Sequence, residues 1–139
     1  MDTVWGTSIA IDGLGVLFRG PSGAGKSDLA LRMIDGGAQL ISDDQTALVR
    51  EGARLVASAP EPTRGRLEVR GVGIVPVHAA VRAPLILIVD LVVPEQVPRL
   101  PDPGTWTEQG VSIPLIALAP FEASTPAKVR LAVKRVVGE

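Results

Sequence analysis

The sequence predicts an α/β domain built on a mixed, largely antiparallel sheet with a phosphate-binding loop (P-loop) set into it. Three observations point there. A glycine-rich stretch, GPSGAGKS at Gly20–Ser27, stands between the strand-like GVLFR and the helical KSDLALRMID. Strand-like segments fill the middle of the chain with few helices between them, which is not the strand–helix alternation of a doubly wound fold. A late segment, EASTPAKVRLAVKRVV, has the period of a second helix.

In chain order, TSIAI (Thr7–Ile11) and GVLFR (Gly15–Arg19) read as strands around the turn chemistry of DGLG. The loop follows the second strand directly. The helix after it places Leu29, Met33 and Ile34 on one face and stops at Gly36–Gly37. AQLIS is a further strand ending at Asp43–Asp44. TALVR and RLVAS form a hairpin across EGA. APEPTRG is a loop. RLEVRGVGIVPV (Arg66–Val77) is rich in β-branched residues but punctuated by Gly71 and Gly73. PLILIVDLVV is a buried strand, PEQVPRLPDPG a proline-rich surface loop, and TWTEQGVSIPLIAL another hairpin. Ser124 and Thr125 are candidate caps for the last helix, with Pro126 early in it. Val129, Ala132, Val133 and Val136 share its inner face. Residues 1–139 read as one domain.

Composition narrows the function. Net charge is −1 and no run of Lys and Arg stands out, which argues against a nucleic-acid partner. With no Cys, the chain has neither a disulfide framework nor a thiolate metal site. Its start lacks the basic and apolar regions of a signal peptide, and its longest apolar run is short and broken by Asp90. These features predict a soluble cytoplasmic protein without a membrane partner.

The loop carries the sharpest chemistry. Gly20, Gly23 and Gly25 let backbone N–H groups approach phosphate oxygens, with Pro21, Ser22 and Ala24 completing the turn. The helix N-terminus adds partial positive charge. Lys26 brings an ammonium to the β- and γ-phosphates of a nucleotide, and Ser27 offers a hydroxyl to Mg²⁺. A P-loop enzyme also needs an Asp at the end of an apolar strand. Two segments offer one: LILIVD ends at Asp90, and AQLISDD ends at Asp43–Asp44. Position in the pattern favours Asp90. The paired carboxylates are chemically more suggestive, because adjacent side chains on an extended chain point to opposite sides. Glu68 and Arg70 alternate with Leu67 and Val69 and share a strand face.

Three motifs in this order, GVLFRGPSGAGKSDLAL, GGAQLISDD and LEVRGVGIVPV, resemble the HPr kinase/phosphorylase family of the bacterial phosphotransferase system, in a short form limited to its catalytic domain. The resemblance is strongest from Gly13 to Val77. It implies a fold like that of phosphoenolpyruvate carboxykinase and ATP-dependent phosphorylation of a serine on the carrier protein HPr. It also implies reversal by phosphorolysis, releasing pyrophosphate. Carried over, Asp44 is the base that takes the serine proton, beside Asp43. Lys26 and Arg99 neutralise the transferred group. Ser27 and Glu68 hold Mg²⁺, and the segment containing Arg70, Gly71 and Gly73 serves both reactions. The family is commonly a homo-oligomer, often a hexamer. The chain departs from it twice: Trp5 stands where the family has a His near the Asp pair, and no Arg lies in IPLIALAP, where the family has an Arg-bearing segment. His78, the only histidine, reads as an ordinary structural residue. An alternative of another class is a non-catalytic nucleotide sensor that binds a phosphotransferase-system partner.

Overall fold

The structure, a computed structural model, describes residues 2–138. Its elements are β1 (Asp2–Trp5), β2 (Thr7–Ile11), β3 (Leu14–Arg19), α1 (Lys26–Asp35), β4 (Gln39–Ser42), β5 (Gln45–Glu51), β6 (Arg54–Ser58), β7 (Arg66–Val69), β8 (Gly73–Pro76), β9 (Arg82–Leu91), β10 (Gly104–Glu108), β11 (Val111–Leu118) and α2 (Thr125–Val136). The sheet is mixed and mostly antiparallel, as the sequence predicts: among the described residues only β3–β9 and β9–β11 pair in parallel. No helix is long and apolar enough to cross a membrane.

The centre is β3, flanked by β2 on one side and β9 on the other. Asp12 and Gly13 both take positive φ, 50° and 79°, so the β2–β3 turn has the backbone twist that suits a two-residue hairpin. The sheet forks at β9. Its first residues pair with β6, leading to β5 and β1, while Ile88–Leu91 pair with β11 and so with β10. Alternating residues of the central strands feed two cores. Ile9, Val16, Phe18, Leu87 and Val89 pack with Leu29 and Met33 of α1 and Val129 and Val133 of α2. Ala10, Leu17 and Ile88 pack on the other face against Leu48, Leu55, Ala57 and Ile113 of the curled branches. Leu, Ile and Val fill both cores; Phe18 is the one aromatic among the fully buried large side chains.

The structure adds two elements to the sequence reading and corrects it at Arg70, at the α2 caps and at Val136. Asp2–Trp5 is a strand, pairing along the edge of β5. Arg66–Val77 is a small separate hairpin, β7–β8, whose turn uses Gly71 at φ 88°. Arg70 therefore leaves the strand face that Glu68 occupies and sits in the turn. Neither Ser124 nor Thr125 caps α2 by its side chain. The buried Thr125 hydroxyl instead donates to the Ala119 carbonyl at 2.6 Å, and Val136 is partly exposed.

Candidate functional site

The loop Gly20–Gly25 leaves the tip of β3 and enters α1 at Lys26. Its turn is closed by the Ala24 amide donating to the Pro21 carbonyl at 3.0 Å. Gly25 is the N-cap, at φ 98°, and makes no side-chain cap. The first amides of α1 therefore have no capping side chain and are suited to an anion. Lys26 Nζ folds back onto the loop, donating to the carbonyls of Gly20 at 2.7 Å and Pro21 at 3.1 Å.

The Asp pair lies across from the loop, and its two members do different things. Asp43 is half-buried and acts as a hub. Its Oδ1 accepts from Ser27 Oγ at 2.6 Å and from Thr7 Oγ1 at 3.0 Å, and its Oδ2 accepts from the Glu68 amide at 3.1 Å. It thus ties the loop helix, β2 and the β7–β8 hairpin together. Asp44 is exposed and takes φ 67°, so the chain turns at the pair instead of staying extended. That left-handed conformation is uncommon for non-glycine residues, with Asp among the better tolerated. The turn is fixed by the Asp44 amide donating to Thr7 Oγ1, the Gly6 amide donating to the Asp44 carbonyl, and the Gln45 amide donating to the Asp43 carbonyl. Beneath it, buried hydroxyls support one another: Ser8 bonds Thr46 at 2.9 Å, Thr46 donates to the Gly6 carbonyl, and Ser42 donates to the Gln45 carbonyl. No buried side-chain polar atom among the described residues lacks a partner. The Asp44 carboxylate makes no hydrogen bond or ion pair among them.

One cleft of about 810 Å³ gathers Ser22, Gly23, Gly25, Lys26, Ser27, Asp43, Asp44, Glu68, Arg70, Gly71 and Gly73. Arg99 stands apart, exposed in the loop after β9 and outside the cleft lining. Trp5 pairs with Gln45 at the edge of the Asp44 turn and is 69% exposed. His78 is exposed and bonds Gln39. Asp90, the other candidate for the strand-end Asp, is held by Arg19 in two bonds of 2.7 and 3.0 Å. The same guanidinium lies 5.4 Å from the centre of the Trp106 ring. Asp90 is therefore already paired, while Asp43 meets the loop serine. From the sequence alone Asp43 has no more than a supporting place beside Asp44. Its central position depends on Thr7 and Ser27, 36 and 16 residues away.

The family model for the HPr Serine kinase C-terminal domain matches residues 1–87. The chain belongs to this family. Relatives within the HPr kinase family include the HPr kinase/phosphorylase of Clostridium botulinum (strain Eklund 17B / Type B), 43% identical over 72 residues, covering 52% of this chain and 24% of that protein. That of Limosilactobacillus reuteri (strain DSM 20016) is 35% identical over 125 residues, covering 81% of this chain and 39% of that protein. The chain thus spans well under half the length of these curated relatives. The solved structure of the Hpr(Ser) kinase/phosphatase from Coxiella burnetii is 29% identical, with a TM-score of 0.86 over 97% of this chain and 95% of that one. The family's mixed, curled α/β sheet is therefore the fold of this chain.

Proposed function

We propose that this chain is an ATP-dependent protein-serine kinase acting on a phosphocarrier protein of the HPr type. The observation that supports it most is the division of labour in the Asp pair: Asp43 is bound to the loop serine, while Asp44 presents an unpartnered carboxylate in the same cleft. A site that only binds a nucleotide has no need of a second, free carboxylate facing the phosphates.

The residues suit Mg²⁺. Ser27, Asp43 and Glu68 supply hard oxygen donors at one place. Among the described residues no three Asp, Glu, His or Cys side chains form a cage. That fits an ion that is held by one or two carboxylates and completes its shell with water and phosphate oxygens. Mg²⁺ bound there would offset negative charge on the phosphates. The remaining chemistry falls to the chain. The loop amides and the α1 N-terminus hold the triphosphate, and Lys26 turns from the loop carbonyls to the β- and γ-phosphates. Asp44 accepts the proton of the substrate serine as its oxygen attacks the γ-phosphorus. The new oxygen–phosphorus bond forms as the bond to the β-phosphate oxygen breaks, and ADP leaves. Trp5 cannot accept or relay a proton, and Ile113–Pro120 contains no Arg. Phosphorolysis of the phosphoserine product is accordingly slower than the forward transfer.

The test is a mass spectrum of purified HPr after incubation with the protein, ATP and Mg²⁺. Gain of one phosphoryl group on a serine is expected. Binding of ATP and HPr without transfer would favour the sensor reading. A second arm supplies phosphoserine-HPr with inorganic phosphate, and pyrophosphate release as fast as forward transfer would overturn the stated direction.

The metal assignment makes its own prediction. Asp43→Asn and Glu68→Gln each raise the Mg²⁺ concentration needed for half-maximal transfer, Asp43→Asn by about tenfold or more, as for a lost charged ligand. Asp90→Asn leaves that requirement unchanged. It costs only about 1 kcal/mol of stability, because the Arg19 pair is partly exposed. Magnesium titrations of the three variants check this. An Mg²⁺ defect in Asp90→Asn alone would move the metal to β9.

A further inference from the structure

The chain's aromatic side chains are two Phe and two Trp, with no Tyr. Three of them have an evident place in the fold. Phe18 is fully buried, and Trp106 packs on the second core with the Arg19 guanidinium over its ring. Phe121 lies against the phosphate loop, where a Cβ on Gly25 would come within 2.8 Å of its Cζ. Trp5 is the exception. Its indole is left 69% exposed, although so large an apolar surface is costly to keep in water.

The position of Trp5 is fixed relative to Asp44. It pairs with Gln45, the residue after Asp44, at the last rung of the β1–β5 ladder. The next residue, Gly6, donates its amide to the Asp44 carbonyl at 2.8 Å and accepts from Thr46 Oγ1 at 3.1 Å. A Cβ at Gly6 would come within 2.7 Å of the Leu17 side chain and 2.9 Å of the Phe18 carbonyl oxygen, so the chain passes tight against β3 there. Val4 packs toward the second core, and strand alternation turns Trp5 the other way, into solvent. Trp5 and Asp44 therefore stand at a set spacing on adjoining strand ends. The cleft lining includes Asp44 and stops short of Trp5.

That placement decides what the indole can meet. Outside the cleft, it is not placed to bind the nucleotide, and it cannot take a proton. A small hydroxyl compound entering the cleft would not reach it. A folded protein that brings a serine to the exposed Asp44 carboxylate must cover the surface around it. Within the cleft that surface already offers Val72 and Ile74 of the β7–β8 hairpin, both exposed, so its character is apolar as well as charged. We propose that Trp5 is a specificity residue for the acceptor protein, packing on an apolar side chain that the acceptor carries beside its serine. The proposal rests on the kinase reading of the proposed function and adds to it a residue that selects the acceptor. Trp is among the side chains that most often anchor protein interfaces, and one held this firmly by its backbone loses little freedom on binding.

Steady-state transfer to HPr by the full chain tests it. Trp5→Ala is expected to raise the KM for HPr about tenfold or more and to leave kcat and the KM for ATP within about twofold, because binding shared by ground and transition states appears in KM alone. Trp5→Phe recovers most of the loss, and thermal melts of both variants show whether β1 is intact. An unchanged KM for HPr in folded Trp5→Ala overturns the proposal. So does a fall in kcat with KM unchanged, or a raised KM for ATP. A second measurement uses Trp106→Phe, which leaves Trp5 as the one tryptophan, together with a tryptophan-free HPr. Its emission is expected to shift to the blue as HPr saturates and to stay in place with ATP alone. Emission unmoved by saturating HPr overturns the proposal even if Trp5→Ala fails to fold. A native chain that transfers nothing to HPr removes the kinase reading itself, and the acceptor role of Trp5 falls with it.

Discussion

Lys26→Ala lowers phosphoryl transfer by about a hundredfold to a thousandfold while the protein stays folded. In the proposed reaction the ammonium offsets charge at the bond that breaks, and losing one such electrostatic contact costs on the order of 3–4 kcal/mol in the transition state. Stability changes little by comparison. In the structure Lys26 bonds only to two loop carbonyls, and one of these contacts is exposed. Steady-state transfer to HPr and a thermal melt make the comparison. Undiminished phosphorylation would take the loop out of the mechanism, whereas a collapsed melt would mean that the two carbonyl contacts matter to the fold.

Asp44→Asn separates chemistry from binding. The amide keeps size and can occupy the same turn, since Asn tolerates the left-handed conformation as well as Asp does. It cannot take a proton. Transfer falls by about a hundredfold to ten-thousandfold, the usual range for a lost general base, while ATP affinity holds within a few-fold. The matching change at Asp43 behaves differently, because that side chain accepts from Ser27, Thr7 and the Glu68 amide at once. Asp43→Asn turns an acceptor-only group into one with two donors, so a bond of the hub is broken and both stability and metal dependence suffer. If single-turnover measurements showed Asp44→Asn to be silent and Asp43→Asn to abolish transfer without loss of stability, the roles assigned to the pair would be reversed.

Local signals were legible and long-range ones were not. The helix over Lys26–Asp35 is marked at both ends by glycine and inside by Leu29 and Met33, all within a few residues. The hairpin of β5 and β6 and the β2–β3 turn announce themselves by alternation and by Asp-Gly. The strand at Asp2–Trp5 carries no such sign: it is short and mostly exposed, and only pairing with β5 makes it a strand. The assignment of the strand-end Asp was open in the sequence because what closes it is non-local. Arg19 reaches Asp90 across 71 residues, and Ser27 meets Asp43 only when α1 and β4 have packed around β2. The place of Phe121 beside Gly25 is set in the same way, by β11 running parallel to β9.

The forked strand β9 has a consequence for how the chain is made. β3 pairs on its inner side with residues some 70 positions later, Val16 with Leu87 and Phe18 with Val89. While a ribosome is still short of that point, β2, β3 and β4 can assemble, but β3 presents an open edge. Val16 and Phe18 then lack their cross-strand neighbours. The branch leading to β1 is also left without its anchor, since β6 joins the rest through Arg82–Pro84. An open apolar edge is a template for pairing with another nascent copy, and so late a closure slows folding. Translation that pauses before β9 should therefore yield aggregates, and the yield of native protein should rise with chaperone supply more steeply than for a helical chain of equal length.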